Sequence, residues 1–227
     1  FSIVTAGRTL SGKAFDEMLG IYKDLRETCD FGLCASHGFL TAEQFRELKK
    51  TGVSSYHHNI ETSRQFFPKI CTTHTYEDKI RTIRLAQQEG LCVCSGGIIG
   101  MGESWEDRLD MAISLAELSI LSIPINALMP IAGTKLGHLP ELSGDDILRT
   151  IAFFRYINPE ANIRLAAGRK LLPLNGETAF FSGASASITG NMLTTSGTTI
   201  REDLAMLKRL GFNLEENFSS AASPQKQ

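Results

Sequence analysis

The chain has 227 residues, a net charge of −2 and five cysteines. Such a length can form one large α/β domain with a sizeable core, and the near-neutral charge argues against nucleic acid as a partner. There is no apolar run of about 18 residues and no signal-peptide layout, so we expect neither a membrane segment nor secretion. An odd number of cysteines then predicts a reducing compartment, the cytoplasm, with thiols free for metal binding, catalysis or core packing.

Strand-like and helical segments alternate along the chain. The apolar segment from Phe1 to Gly7 reads as a strand already under way, so we expect the sequence to be the C-terminal part of a longer protein. Capping boxes that begin at Thr41 and Thr75 predict two helix starts. About seven strand candidates, separated by helices, predict a parallel sheet with crossover helices.

This alternation predicts an α/β fold, a (β/α)8 TIM-type barrel that is truncated at its N-terminus and retains about seven strands. The barrel takes residues 1–215, and residues 216–227, which are rich in small and polar side chains, form a disordered C-terminal tail. An open doubly wound sheet is the alternative, although no G-x-G-x-x-G motif follows a strand.

One stretch joins a short apolar strand to a glycine-rich loop: Leu91-Cys-Val-Cys-Ser-Gly-Gly-Ile-Ile-Gly-Met-Gly-Glu103. Glycines allow the backbone to approach a ligand closely or to adopt positive φ. Ser104 then begins the next helix with a capping-box pattern. Parallel α/β proteins bind ligands at the C-terminal ends of their strands, so this loop is a candidate binding site. A tight turn that needs small residues is the alternative.

Polar residues stand at the predicted ends of other strands. His57, Asn59 and Glu61 alternate along one strand and therefore share a face, as Cys92 and Cys94 do on the central strand. Buried polar groups need partners. A bound ligand or a metal cluster would supply them.

Cys34, Asn126 and Arg164 stand at corresponding places on three further strands. Thiolates favour soft metals and iron–sulfur clusters, and an arginine would offset the charge of an anionic cluster. Pairing of Arg164 with a carboxylate is the alternative. We predict that Cys34, Cys94 and Arg164 converge in one lumen.

Four motifs together resemble the biotin synthases, a family of radical S-adenosylmethionine (SAM) enzymes. They are Tyr56-His-His-Asn-Ile-Glu-Thr-Ser63, Val93-Cys-Ser-Gly-Gly-Ile-Ile-Gly-Met-Gly-Glu103, Ile123-Pro-Ile-Asn126 and Ile163-Arg-Leu-Ala-Ala-Gly-Arg169. The resemblance implies a (β/α)8 barrel that inserts sulfur into dethiobiotin to form biotin. In this family a [4Fe–4S] cluster cleaves SAM to a 5′-deoxyadenosyl radical, and an auxiliary cluster, [2Fe–2S] or a variant, donates the sulfur.

The resemblance also implies roles for individual residues. The auxiliary-cluster ligands, which are also the catalytic residues, are Cys34, Cys94 and Arg164. The SAM-binding residues are Asn59, Glu61, Gly96, Ile98, Gly100 and Glu103. The dethiobiotin-binding residues are Asn126 and His57, the latter at a position where the commoner form has asparagine. An electron donor such as flavodoxin or ferredoxin, and a homodimer, are implied as partners.

Two departures from the family pattern stand out. The chain has no C-x-x-x-C-x-x-C loop for the radical cluster, so we expect those ligands in a missing N-terminal part and expect these 227 residues alone to be inactive. Ser2 stands where the commoner form has an auxiliary-cluster cysteine, which makes Ser2 and Cys92 candidate replacement ligands. Core packing is the alternative for Cys92. Alternatives for the whole chain are another radical SAM barrel, of the methylornithine synthase or hydrogenase-maturase type, and an inactive barrel that binds SAM or a small molecule.

Overall fold

The structure is a computed structural model that describes residues 1–190 and 197–212. The strands are β1 (Ser2–Val4), β2 (Leu33–Ser36), β3 (Val53–His57), β4 (Cys92–Cys94), β5 (Gly97–Ile99), β6 (Ser122–Ala127), β7 (Asn162–Leu165) and β8 (Ala186–Ser187). The α-helices are α1 (Lys13–Thr28), α2 (Ala42–Lys50), α3 (Phe67–Ile70), α4 (Tyr76–Gln88), α5 (Trp105–Glu117), α6 (Gly144–Ile157), α7 (Glu177–Phe181) and α8 (Ile200–Arg209). The tail predicted at residues 216–227 lies outside the described residues.

All strand pairings in the sheet are parallel, in the order β1-β2-β3-β4-β6-β7-β8, with β5 paired to β6. β4 and β5 share one position, because β5 continues along β6 after a break at Ser95 and Gly96. The sheet therefore has seven strand positions and curls into part of a barrel. Within the described residues its edges, β1 and β8, do not pair with each other. The predicted TIM-type α/β fold with about seven strands is confirmed.

Side-chain caps set the starts of several helices. The side chains of Thr41, Thr75 and Ser104 each accept a hydrogen bond from the backbone N–H three residues further on, and that residue's side chain accepts one in return. These reciprocal bonds satisfy N–H groups that the first helical turn leaves free. They confirm the predicted starts of α2, α4 and α5. Among the described residues, no helix is both long enough and apolar enough to cross a membrane.

The core lies between the sheet and the helices that surround it. Fully buried large side chains build it, among them Tyr22 on α1, Phe45 on α2 and Phe154 on α6. Such aromatic residues remove the largest apolar areas from water and dominate the energetics of a core.

Alternation along the strands leaves a polar face opposite this core. Ala35 on β2, Val93 on β4 and Leu165 on β7 are buried in the core. Successive residues of a strand point to opposite faces of a sheet. Each of the three has a neighbour in the strand that therefore faces the concave side, away from the helices. These neighbours are Cys34, Cys94 and Arg164, the predicted thiols and the predicted arginine.

Candidate functional site

The glycine-rich loop between β4 and α5 is held by close backbone contacts. A Cβ atom on Gly96 would collide with the carbonyl oxygen of Pro124 on β6, and one on Gly97 would collide with the carbonyl oxygen of Glu61 and the sulfur of Met111. Neither glycine has a positive φ. Both positions therefore need glycine because of space and not because of backbone conformation.

Gly97→Ala is expected to lower the free energy of unfolding by about 1–3 kcal/mol, because the added methyl group overpacks this contact. The matched control is Gly20→Ala in the middle of α1, where an added Cβ meets nothing within 4 Å. There the change should raise stability by about 0.5–1 kcal/mol, because alanine restricts the unfolded chain more than glycine does. Denaturant unfolding checks both signs. Equal stability of the two variants would contradict the close contact at Gly97.

The side chain of Glu103 is hydrogen-bonded to the backbone of the glycine-rich loop. Its carboxylate accepts hydrogen bonds from the backbone N–H groups of Gly100 and Met101 and from Nε of Arg108, each at 2.7 Å. The Glu103 side chain is fully buried. We predicted Glu103 as a SAM-binding residue, and the structure places its carboxylate against the loop's own backbone. Any contribution to ligand binding is therefore made through the shape of the loop.

Three residues distant in sequence form a group that we call the thiol–guanidinium cluster: Cys34 on β2, Cys94 on β4 and Arg164 on β7. Nη2 of Arg164 donates to Sγ of Cys94 at 2.9 Å, and Nε of Arg164 is buried without a hydrogen-bond partner in the described structure. Burial raises the pKa of the Cys34 thiol; Cys94 adds to this rise and Arg164 opposes it. No carboxylate of the described residues forms an ion pair with Arg164. The alternative of a carboxylate partner is therefore wrong for this part of the chain.

Two further side chains border the thiol–guanidinium cluster. His57 lies opposite Cys94 in the strand register, with Nδ1 3.4 Å from the Cys94 Sγ. Burial, with smaller contributions from nearby cations including Arg164, lowers the pKa of His57 to about 4, so the imidazole is neutral at pH 7. Ser2 lies opposite Cys34 in the register, and its hydroxyl is hydrogen-bonded to that thiol.

Cys92 stands apart from these contacts. It lies on β4 opposite Ser55, two residues before Cys94, and is exposed. Core packing, the alternative role for Cys92, is therefore wrong. Its role as a replacement ligand stays a prediction.

A cavity of about 550 Å³ opens at the C-terminal ends of β1, β2 and β3. Residues at the ends of β1 and β2 line it together with aromatic and polar residues, including Phe39, His57, Asn59, Glu61 and Lys79. A concave site of this size, with a few convergent polar groups, suits a small molecule. It lies at the strand ends where the sequence places ligand binding.

Asn59 and Glu61 join this cavity to the glycine-rich loop. Oδ1 of Asn59 accepts a hydrogen bond from the N–H of Gly96 at 3.1 Å. The backbone of Glu61 donates to the Gly96 carbonyl at 3.1 Å and accepts from the Ile98 N–H at 2.8 Å. Glu61 has a φ of 73°, in the left-handed region that residues with side chains rarely adopt. The residues that follow β3 and line the cavity are thus hydrogen-bonded to the loop.

Lys79 on α4 is a site residue that the sequence reasoning missed. Its Nζ lies 3.3 Å from Oε1 of Glu61, and only 10% of its side chain is exposed. Burial raises the pKa of Glu61, and Lys79 opposes this rise, so the lysine favours the ionised carboxylate. The sequence did carry a signal for this residue. Lys79 occupies an inward position of an amphipathic helix beside Ile80 and Ile83, where a lysine is unusual.

Asn126, at the end of β6, ties the loop to the end of β7. Its Nδ2 donates to the Gly97 carbonyl at 3.2 Å, and its Oδ1 accepts from the Ala167 N–H at 3.2 Å. Ile98 lies opposite Asn126 in the register of β5 and β6. An amide has two donor hydrogens and two acceptor lone pairs. Each end of Asn126 therefore retains one hydrogen-bonding position that a substrate could use.

Two family models match the chain. The Radical SAM superfamily matches residues 2–115, and the Biotin and Thiamin Synthesis associated domain matches residues 124–213. The biotin synthase of Alkaliphilus metalliredigens is 62% identical over 94% of this chain and 67% of its own length. The biotin synthase of Clostridium beijerinckii is 59% identical over 94% of this chain and 68% of its own length. The chain thus spans about two thirds of these relatives.

Solved structures resemble the fold at low sequence identity. A methylornithine synthase has a TM-score of 0.73 and 16% identity, and the match covers 87% of this chain and 63% of that one. A maturase of the [FeFe]-hydrogenase has a TM-score of 0.70 and 20% identity, with 88% and 49% of the two chains covered. At these identities the likeness shows the fold alone. The identity to the two biotin synthases goes further, and with the two family matches it shows that the chain belongs to the biotin synthase family.

Proposed function

We propose that this protein inserts sulfur into dethiobiotin to form biotin, by radical SAM chemistry. The observation that carries the proposal is the thiol–guanidinium cluster. Two thiols and a guanidinium from three separate strands meet on the concave face of the sheet, and the Nε of Arg164 has no partner there. A buried donor without a partner is costly. An anionic iron–sulfur cluster would accept this hydrogen bond from Arg164.

The donors present fit an auxiliary iron–sulfur cluster, which Cys34, Cys94 and Arg164 would hold. Soft thiolate sulfur is the ligand that such clusters select, and both thiols lose their protons when they ligate iron. When bound, the auxiliary cluster supplies the sulfur atom that enters the substrate. Two contacts position Cys94 for this role. The register of β3 with β4 places Cys94 beside His57, and the hydrogen bond from Arg164 fixes the direction of the Cys94 side chain.

The cavity at the ends of β1, β2 and β3 fits SAM. The Glu61 carboxylate would accept hydrogen bonds from the ribose hydroxyls, and Lys79 favours the ionised form of that carboxylate against the effect of burial. The backbone of the loop from Gly96 to Gly100 would lie along the adenine. Glu103 holds this backbone in shape from behind. When bound, SAM would supply the radical that activates the substrate, with a [4Fe–4S] cluster as the electron source.

We propose that dethiobiotin binds between the SAM cavity and the thiol–guanidinium cluster. The free hydrogen-bonding positions of Asn126 suit the ureido group of the substrate, and His57 borders the same space. A flavodoxin or ferredoxin would supply electrons, and the protein would act as a homodimer. The free thiols suit a reducing compartment, so we place the protein in the cytoplasm.

The test uses the protein produced from the full coding sequence that carries these 227 residues, which we call the full-length protein. After anaerobic reconstitution with iron and sulfide, it is given SAM, dethiobiotin and a reductant. We expect biotin and 5′-deoxyadenosine, both detected by mass spectrometry. SAM cleavage without biotin, at every substrate concentration, would point to a different radical SAM reaction. Binding of SAM without cleavage would instead point to an inactive binding barrel.

Glu61→Gln is expected to weaken SAM binding more than dethiobiotin binding. A carboxylate accepts hydrogen bonds from two ribose hydroxyls, whereas an amide offers one acceptor and adds a competing donor. The expected loss for SAM is about 1.5–3 kcal/mol, the range for hydrogen bonds to charged groups. Calorimetry of the full-length protein with each ligand measures the difference. An equal loss for both ligands would contradict the assignment of Glu61 to SAM.

A further inference from the structure

The thiol–guanidinium cluster has a shortage of donors for the role just proposed. Cys34, Cys94 and Arg164 offer three protein ligands, one from each residue. Iron–sulfur clusters of the [2Fe–2S] and [4Fe–4S] types are commonly held by four protein ligands. A fourth donor must therefore come from a side chain that already borders the three.

We infer that His57 is the fourth ligand of the auxiliary cluster, through Nδ1. This inference rests on the proposed function. Nδ1 of His57 lies 3.4 Å from the Sγ of Cys94, and the two residues are opposite each other on the neighbouring strands β3 and β4. The side chain faces the concave side of the sheet that the two thiols and Arg164 also face. Its ring nitrogen is thus already directed at the ligand set.

The other candidates near the cluster are weaker. Ser2 lies opposite Cys34 and is hydrogen-bonded to that thiol, but its hydroxyl oxygen is a hard donor that suits other metals better than a thiolate-bound iron. Cys92 is exposed and is two residues further from the ligand-binding end of β4. Imidazole nitrogen suits iron, and histidines replace cysteines at one iron of the Rieske type of [2Fe–2S] centre.

The ligation balances without a further reactant. A neutral imidazole with its proton on Nε2 donates the Nδ1 lone pair to iron, and no proton leaves the ring. The thiols of Cys34 and Cys94 each release one proton to solvent as they bind. Arg164 likewise releases one proton from its guanidinium to solvent as it binds, which frees the nitrogen lone pair that it donates to iron. Ligation at His57 also gives this residue a different role from the substrate contact that the sequence predicts for it.

The experiment compares full-length wild-type protein with His57→Asn after anaerobic reconstitution. We expect at least about a tenfold loss of the auxiliary cluster in His57→Asn, measured by iron and sulfide content and by its absorption spectrum. The [4Fe–4S] signal should be unchanged, which shows that the variant is folded. The matched control is His138→Asn, an exposed histidine that should leave both clusters unchanged. Adding Ser2→Cys to His57→Asn should restore the auxiliary cluster, because it returns a fourth donor beside Cys34.

A second measurement does not depend on any variant. Wild-type protein made with ¹⁵N-labelled histidine is reduced and studied by pulsed electron paramagnetic resonance. We expect a ¹⁵N coupling on the auxiliary-cluster signal. If wild-type protein assembles a second cluster without this coupling and His57→Asn assembles the same one, the inference is wrong while the proposed function stands. If wild-type protein assembles no second cluster at all, the proposed function fails and the inference fails with it.

Discussion

Cys94→Ala should lower biotin formation by at least about 100-fold, because a direct cluster ligand should matter no less than the outer partners of metal ligands. The residue is the centre of the contacts in the thiol–guanidinium cluster, where it accepts from Arg164 and lies beside His57. Under the proposed function its loss removes a sulfur ligand, and it leaves the Arg164 side chain facing a methyl group. Formation of 5′-deoxyadenosine should continue, since the cavity that we propose for SAM lies at the ends of β1, β2 and β3 and not on β4. Product analysis of the reconstituted full-length protein measures both quantities.

Two cysteines provide controls for this prediction. Cys29 caps the end of α1, and its thiol is hydrogen-bonded to Thr28, so Cys29→Ala should form biotin at the wild-type rate. Cys92→Ala tests whether the exposed thiol on the same strand takes part in ligation. Loss of the auxiliary cluster in Cys92→Ala would make this residue a ligand. Biotin formation by Cys94→Ala at a rate near that of Cys29→Ala would contradict the role of Cys94.

Glu103→Ala should lower the free energy of unfolding by about 3–5 kcal/mol, the cost of removing one partner of a buried ion pair. Arg108 is itself buried and would keep its charge without the carboxylate that it contacts at 2.7 Å. The N–H groups of Gly100 and Met101 would lose their acceptor as well. Denaturant unfolding of the variant and of wild-type protein gives the difference.

The control for Glu103→Ala is Glu47→Ala. Glu47 forms an ion pair with Lys50 at 2.7 Å, but both side chains are largely exposed. Exposed ion pairs contribute little to stability, so this variant should unfold almost as wild-type protein does. Unfolding of Glu103→Ala at the same denaturant concentration as Glu47→Ala would show that the buried contacts of the loop are not needed for stability.

Local signals in the sequence predicted the helices well. Thr41, Thr75 and Ser104 begin helices because each cap and its partner lie three residues apart, and nothing distant is needed to form the contact. The thiol and arginine positions could also be predicted, because alternation along a strand assigns a face to each residue. The resemblance to a known family added the candidate roles.

Contacts between distant segments could not be predicted from the sequence. The close approach of the Pro124 carbonyl oxygen to Gly96 joins β6 to the end of β4, and neither segment alone encodes it. The ion pair between Lys79 and Glu61 joins a helix to a strand end, and no pattern within either segment gives that distance. Arg169 likewise stands at a strand end but pairs with Asp203 at the start of α8, at 2.8 Å. Each of these contacts forms between segments that only the folded sheet brings together.

The interruption between β4 and β5 divides one strand position into two parts that both pair with β6. β4 also pairs with β3 and carries Cys94, whereas β5 belongs to the glycine-rich loop and is bridged to Glu61, beyond the end of β3. An unbroken strand would pass any change of twist or pleat from one end to the other. With the break at Ser95 and Gly96, a substitution in β4 need not disturb the backbone of β5. The side chains of β4 could thus change without a change in the glycine-rich loop.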